Sequence, residues 1–333
     1  MSFEPIAFTR QLIDIESISG NEANVAGFLE KALRGLGYKV QRFECAPDRF
    51  DVYALPNGVS SPDVVFSTHM DTVPPFITSS EDAENIYGRG ACDAKGIIST
   101  QIAAVERLRN TNVRTGLLFL VGEERDSLGA RVANGHAPGC RFLINGEPTD
   151  NRIAVASKGA LRAEIIAEGK MAHSAYPALG ESAIVKLVRA LDRLIELELP
   201  KDPEIGDCTM NIGVIEGGRA PNVVPDHASA ELLYRLIGDS AELKSSVRDA
   251  VRGYARADFT VELPFMRLRT VEGIPTMTAS FTTDIPALTN WGEPILLGPG
   301  SIHVAHTTGE FLSKRELLDC IDLYVSVAKQ LLS

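Results

Sequence analysis

Two rhythms of apolar positions run along this chain, one of helical period and one of short unbroken runs, and their order sets out its layout. Val25, Phe28, Leu29, Ala32, Leu33 and Leu36 recur at helical spacing. Ser19 and Glu22 precede them with the spacing of a capping box, and Gly37 is the expected stop. Residues 1–17 also read as an amphipathic helix. Apolar runs of strand length follow at 52–55, 64–67, 116–121 and 142–144. Between two of them, Ile97, Ile98, Ala104, Val105 and Leu108 line one side of a helix over 97–108. Strands alternating with helices predict an α/β layer with a largely parallel sheet.

The middle of the chain reads differently. A strand over 160–167 is followed by a helix over 181–198, strands over 209–215 and 228–236, a helix over 240–255 and a strand over 259–263. That order is β-α-β-β-α-β, the split βαβ arrangement of a ferredoxin-like domain. Beyond it, a strand over 295–297 and a helix over 314–332 can rejoin the first sheet. The expected fold is α/β: a mostly parallel-sheet domain made of 1–157 and 270–333, carrying an inserted βαββαβ domain at 158–269. No internal repeat or low-complexity tract is evident.

Composition narrows the function classes. A chain of 333 residues exceeds one ordinary core, which agrees with two domains. The net charge of -11 repels phosphate backbones, so nucleic acid is not an expected partner. No apolar run reaches the roughly 18 residues a membrane span needs. The N-terminus lacks the basic and long apolar segments of a signal peptide, and a cytoplasmic location is expected. Five cysteines, odd in number and without CxxC spacing, read as reduced thiols, neither a disulfide framework nor a thiolate metal site. Cys92, beside Asp93, reads as a packing residue.

Candidate chemistry sits just after the expected strands. His69-Met70-Asp71 follows one, Gly122-Glu123-Glu124 another, and Gly146-Glu147 a third. Sites in open α/β sheets form outside the carboxyl ends of strands, so three strands bring imidazole and carboxylate to one rim. Asp93 closes a glycine-rich loop, Gly88 to Asp93, ahead of a helix, and residues 298–306 (GPGSIHVAH) follow a fourth strand. Zinc takes histidine nitrogen and carboxylate oxygen, and two such ions can share one activated water. Of the adjacent Glu123 and Glu124, one can bind metal while the other takes the water's proton. Asp71 can orient His69 through its other nitrogen. Each fragment alone is ordinary: paired glutamates usually form a solvated face, and GRGACDAKG lacks the spacing of a phosphate loop. Their shared placement after strands is what points to metal.

The segments STHMDTVP, GRGACDAKG, GEE, NGEPT and GPGSIHVAHTTGE, in this order, resemble the metallopeptidase family of acetylornithine deacetylase, succinyl-diaminopimelate desuccinylase, aminoacylase and glutamate carboxypeptidase. The likeness spans essentially the whole chain. It implies two divalent metal ions, zinc foremost, with cobalt or manganese as alternatives. His69 and Glu147 would hold one ion, Glu124 and His306 the other, and Asp93 would bridge them. His306 is taken over His303 because it precedes Glu310 by the family's four positions. Glu123 would be the general base, Asp71 the orienting carboxylate, and the peptide after Asp93 would be cis. The inserted domain would act as lid and dimerisation module of a homodimer. His173, alone a surface-loop histidine, would reach the partner's active site and stabilise the oxyanion. Arg235 and Asn222 match positions that hold the substrate carboxylate, Lys158 stands where the family often has an arginine and counts as substrate-binding, and the backbone of Gly298, Gly300 and Ser301 would line the carboxylate end.

The function so implied is metal-dependent cleavage of the amide bond of an N-acyl amino acid, as in acetylornithine or acetyl-lysine deacetylases. A carboxypeptidase or dipeptidase on the same scaffold is the alternative within enzymes. A non-catalytic dimeric binding protein would have lost ligands or base, yet His69, Asp93, Glu123, Glu124, Glu147 and His306 are all present. A two-metal phosphoesterase lacks the basic cluster it would need near these motifs.

Overall fold

The computed structural model describes residues 3–333. The chain forms two compact units. One comprises Met1–Val155, Leu268–Met277 and Thr283–Ser333; the other comprises Ala156–Arg267 and Thr278–Thr282.

The first unit is built on a six-stranded sheet. Its strands lie in the order Tyr38–Ala46, Arg49–Pro56, Thr115–Leu120, Val64–His69, Phe142–Asn145, Glu293–Leu296. The last four are parallel, and the first two join antiparallel at one edge. The strands at 64–69, 115–120 and 142–145 are buried along their whole length, as strands covered on both faces are. The helix Lys95–Leu108 lies against this sheet, with Pro5–Ile13 and Lys314–Gln330 packed on it. Only Glu106 and Arg107 of that helix escape burial. Its polar groups are satisfied inward: Gln101 Nε2 donates to the Ser67 carbonyl at 2.8 Å and Thr100 Oγ1 to the Gly96 carbonyl at 2.8 Å.

The capping box expected at Ser19 and Glu22 does not form. The helix Ala23–Gly35 starts after Glu22, but no side chain caps it. Ser19 Oγ donates to Asp71 Oδ2 at 2.6 Å. The buried Glu22 carboxylate instead accepts from Arg49 Nε and Nη2, both at 2.7 Å, and from the Gly20 N–H at 2.8 Å. A buried two-pronged guanidinium–carboxylate pair outweighs a cap contributing about 1 kcal/mol.

The second unit is a four-stranded antiparallel sheet in the order Thr209–Gly217, His227–Leu236, Gly159–Glu168, Arg256–Leu263. With helices Ala183–Ile195 and Ala241–Val251 between strands, chain order and strand order give the ferredoxin-like βαββαβ topology. Ser182 Oγ caps the first helix by accepting from the Val185 N–H at 3.3 Å. Ala183, Leu187, Ala190, Leu191 and Leu194 form its buried stripe, facing Ala228, Ala230, Leu232, Tyr234 and Leu236 of the sheet. The register pairs Arg235 with Ala160 and His227 with Glu168, so these two pairs mark opposite ends of the sheet.

Asp51 stands out in the first unit. It is fully buried; Oδ1 accepts from the Val121 N–H at 3.0 Å and Oδ2 has no partner. Burial pushes its pKa up to about 7. The native state therefore holds a proton that the unfolded chain releases above its ordinary carboxylate range, so stability falls as the pH rises towards 7. Asp51→Asn keeps the acceptor without a charge to bury. Its stability relative to the parent, measured by urea unfolding, is expected to increase between about pH 5 and pH 8. A difference independent of pH would sink this account.

Candidate active site

The sheet delivers the site. His69 ends its strand, and Glu123–Glu124 and Glu147 follow the neighbouring strands on either side. Gly146, before Glu147, has no room for a side chain: a Cβ there would lie 2.3 Å from Ile97 Cγ2 and 2.5 Å from Gln101 Nε2. Asp93 lies just ahead of helix Lys95–Leu108, and the Asp93–Ala94 peptide is cis.

These residues converge. Ligand atoms of His69, Asp93 and Glu124 all lie within 4.8 Å of one another. His69 Nε2 is 2.9 Å from Asp93 Oδ1. His306 Nε2 is 2.8 Å from Glu124 Oε1 and 3.3 Å from Asp93 Oδ2, so Asp93 faces both imidazoles with different oxygens. Glu147 is buried, and its Oε1 has no hydrogen-bond partner. His303 is exposed and makes none of these contacts. An imidazole–carboxylate set around one point, with an orphaned buried oxygen, fits divalent metal.

The electrostatics agree. Burial alone would lower the pKa of His69, but Asp71 and Asp93 raise it well above the usual imidazole range. Contact with Asp93 and Glu124 lifts His306 to about 10. Burial opposes ionisation of Asp93, yet His306 and His69 hold it well below the ordinary carboxylate range. Glu123 and Glu147 are both pushed well above that range by burial, Glu123 with Glu147's charge adding to the effect. So many carboxylates around two imidazoles form a surplus of negative charge that divalent cations relieve.

Asp71 does more than orient His69. His69 Nδ1 meets the Asp71 main-chain carbonyl at 3.0 Å, with carboxylate Oδ1 farther off at 3.5 Å. The carboxylate itself accepts from the N–H groups of Glu123 at 3.1 Å and Glu124 at 3.3 Å, and from Ser19 Oγ. It therefore sets the turn that aims both glutamates. In the glycine loop two main-chain donors are engaged within the fold. The Gly298 N–H donates to Thr149 Oγ1 at 3.0 Å and the Gly300 N–H to Glu316 Oε1 at 2.8 Å. Both donors are spent inside the fold and are not free for a substrate carboxylate. Ser301 pairs with Thr149 in a single β-bridge.

In the second unit, His173 sits on the short strand Ala172–His173, paired with Val223–Val224. It is exposed, and its Nδ1 accepts from the Ala175 N–H at 3.1 Å, which leaves Nε2 as the donor of the neutral ring. Asn222 lies beside it, its carbonyl accepting from the Ser174 N–H at 3.0 Å. Arg235 and Lys158 lie at the other end of the sheet, about 26 Å along the strand from His227. Lys158 Nζ donates to the Asp207 carbonyl at 2.7 Å. Arg235 is half-buried, burial lowers its pKa, and no carboxylate among the described residues pairs with it.

Arg89 and Glu310, both within the sequence motifs, are buried and make contacts the sequence does not show, and the buried Asp284 lies outside every motif. Both oxygens of Asp284 lack partners, and burial pushes it up to about 7.

Residues 155–258 match the family described as Peptidase dimerisation domain. A peptidase M20 domain-containing protein of Schizosaccharomyces pombe is 36% identical over 330 residues, covering 96% of this chain and 82% of its own length. The chain belongs to the M20 peptidase family. A probable carboxypeptidase of Aspergillus terreus is 37% identical to this M20 peptidase over 365 residues, covering 96% of the chain and 84% of the relative. The crystal structure of aminopeptidase PepT from Bacillus cereus shares the fold, with a TM-score of 0.81 at 22% identity, covering 99% and 98% of the two chains. M20 peptidases are metal-dependent hydrolases, and this chain is one. Among its described residues, no helix is long and apolar enough to cross a membrane.

Proposed function

We propose that this M20 peptidase cleaves the amide bond between an acyl group and an amino acid with a free carboxylate, as an N-acyl-amino-acid deacylase of acetylornithine or acetyl-lysine type. The observation that carries the carboxylate requirement is Arg235, a half-buried guanidinium with no partner among the described residues. Such a fork suits a carboxylate held through two parallel hydrogen bonds. The names of the relatives at 35–37% identity support a second reading, a carboxypeptidase or dipeptidase, whose substrate also ends in a carboxylate.

His69 and Glu147 would hold one divalent ion, His306 and Glu124 another, with Asp93 between them. Zinc suits this donor set, with cobalt or manganese as substitutes. When bound, the ions polarise the scissile carbonyl and make water a nucleophile at neutral pH. Glu123, aimed by Asp71 and left without a ligand role, takes the water's proton and passes it to the leaving amine. His173 donates from Nε2 to the carbonyl oxygen as charge develops there.

His173 and Asn222 lie at one end of the second unit and Arg235 at the other. One copy's His173 therefore serves the site of a second copy in a homodimer. The surface of this unit supports such pairing: Val185, Val188 and Ile195 on its first helix and Ile215 on the edge strand are each more than half exposed. Five free cysteines suit a reducing cytoplasm.

A panel of N-acetyl, N-succinyl and dipeptide substrates, given to chelator-stripped protein with zinc or cobalt restored, separates the readings. Metal-restored release of acetate from acetylornithine or acetyl-lysine supports the deacylase, and cleavage of dipeptides alone moves the assignment to the peptidase. Under either reading, Arg235→Ala is expected to raise KM about 100-fold with little change in Tm. An unchanged KM would remove Arg235 from the site.

A further inference from the structure

Arg89 and Glu310 are both 1% exposed and lie 221 positions apart in the chain, yet Arg89 Nη1 and Glu310 Oε2 meet at 2.6 Å. The rest of each side chain reaches main-chain atoms of a different metal-ligand segment. Glu310 Oε1 accepts from the N–H of Cys92 at 3.2 Å and of Asp93 at 3.3 Å. Arg89 Nη2 donates to the His306 carbonyl at 3.4 Å. His306 has φ +64°, a left-handed backbone that residues with a side chain rarely adopt, so its conformation needs such outside support. The Glu310 carbonyl, in turn, accepts from the Gly88 N–H at 3.1 Å at the start of the Asp93 loop.

We infer that Arg89 and Glu310 are positioning residues that lock the Asp93 loop to the His306 segment and so set the affinity of the metal position held by Asp93, Glu124 and His306. This rests on the ligand assignment proposed above. Neither side chain is itself a ligand in that assignment. The pair grips the two backbones from which Asp93 and His306 project; Asp93 lies between both ions, so the selective effect comes through His306, and the pair makes no contact with His69 or Glu147. Outer partners of this kind typically change metal affinity about 10- to 100-fold.

The test is metal binding, read without turnover. Glu310→Gln keeps an acceptor for the two N–H groups but ends the ion pair. Zinc is titrated into chelator-stripped protein against a competing chelator, and bound metal is counted by elemental analysis. The expected result is one ion held with parental affinity and the second weakened about 10- to 100-fold. A purely structural role would lower Tm and weaken both ions together. Two parental affinities in a folded Glu310→Gln protein overturn the inference. Should that variant not fold, Arg89→Met with Glu310→Gln removes both charges at once and is read by the same criteria. Fewer than two ions on the parent protein would instead refute the two-metal assignment.

Discussion

Glu123→Gln is expected to abolish turnover, lowering kcat by about 1,000-fold or more while leaving bound metal unchanged. Glu123 is partly buried beside the cluster, and its N–H is fixed at 3.1 Å from Asp71 Oδ1, so the amide takes the place of the acid without disturbing the turn. In the proposed assignment it binds no ion, and its only task is to carry a proton. Burial and the charge of Glu147 favour its protonated form in the metal-free protein. Filling the site with cations reverses the sign of the local field and frees the carboxylate to act as base. The measurement is kcat and metal content on the same preparation. Retained turnover would rule out Glu123 as the base. Lost turnover together with lost metal would make it a ligand.

His173→Ala is expected to cost about 100- to 1,000-fold in kcat, the range seen when one donor to a developing oxyanion is removed. The stronger expectation concerns mixtures. Co-expressed His173→Ala and Glu123→Gln chains, each inactive as homodimers, should recover activity. In the mixed dimer one site receives an intact Glu123 from one chain and an intact His173 from the other. Random pairing in a two-fold dimer gives about a quarter of parental activity. Purification through two different tags isolates the mixed species. If the tagged mixed dimer stays as inactive as its parents, His173 serves its own chain. If no dimer forms at all, the exposed apolar side chains at Val185, Val188, Ile195 and Ile215 need another explanation.

Much of this site is legible in the sequence because its residues follow strands that are apolar throughout. The runs at 64–69, 115–120 and 142–145 are buried on both faces, which keeps them unbroken and easy to find. The strand Tyr38–Ala46 is hard to see in the sequence because it lies at the sheet edge, where Lys39, Gln41 and Arg42 face water and break the run. Partnerships over long separations were the least readable. Ser19 and Glu22 have the spacing of a cap, yet their partners Asp71 and Arg49 are 52 and 27 positions away. That Thr149 and Glu316 take up the N–H groups of Gly298 and Gly300 is likewise invisible in the sequence. The pairing of Arg89 with Glu310 also shows only when the fold joins residues 221 positions apart.

The interrupted course of the first unit bears on how the protein is made. As a ribosome releases the chain, the strand Phe142–Asn145 can pair with Val64–His69 at once, but its other flank waits for Glu293–Leu296. The whole antiparallel sheet of the second unit lies between them in sequence; Thr209–Gly217 and His227–Leu236 pair locally, whereas Gly159–Glu168 waits for both His227–Leu236 and Arg256–Leu263. His306 and the helix Lys314–Gln330, which packs on the Lys95–Leu108 helix, emerge after both sheets. A nascent chain therefore carries His69, Asp93, Glu124 and Glu147 as an unfinished acidic basin until the His306 segment follows. The proposed hydrolytic centre is therefore complete only after the second unit and the His306 segment have both left the exit tunnel, so it is assembled from stretches of chain made at well-separated times.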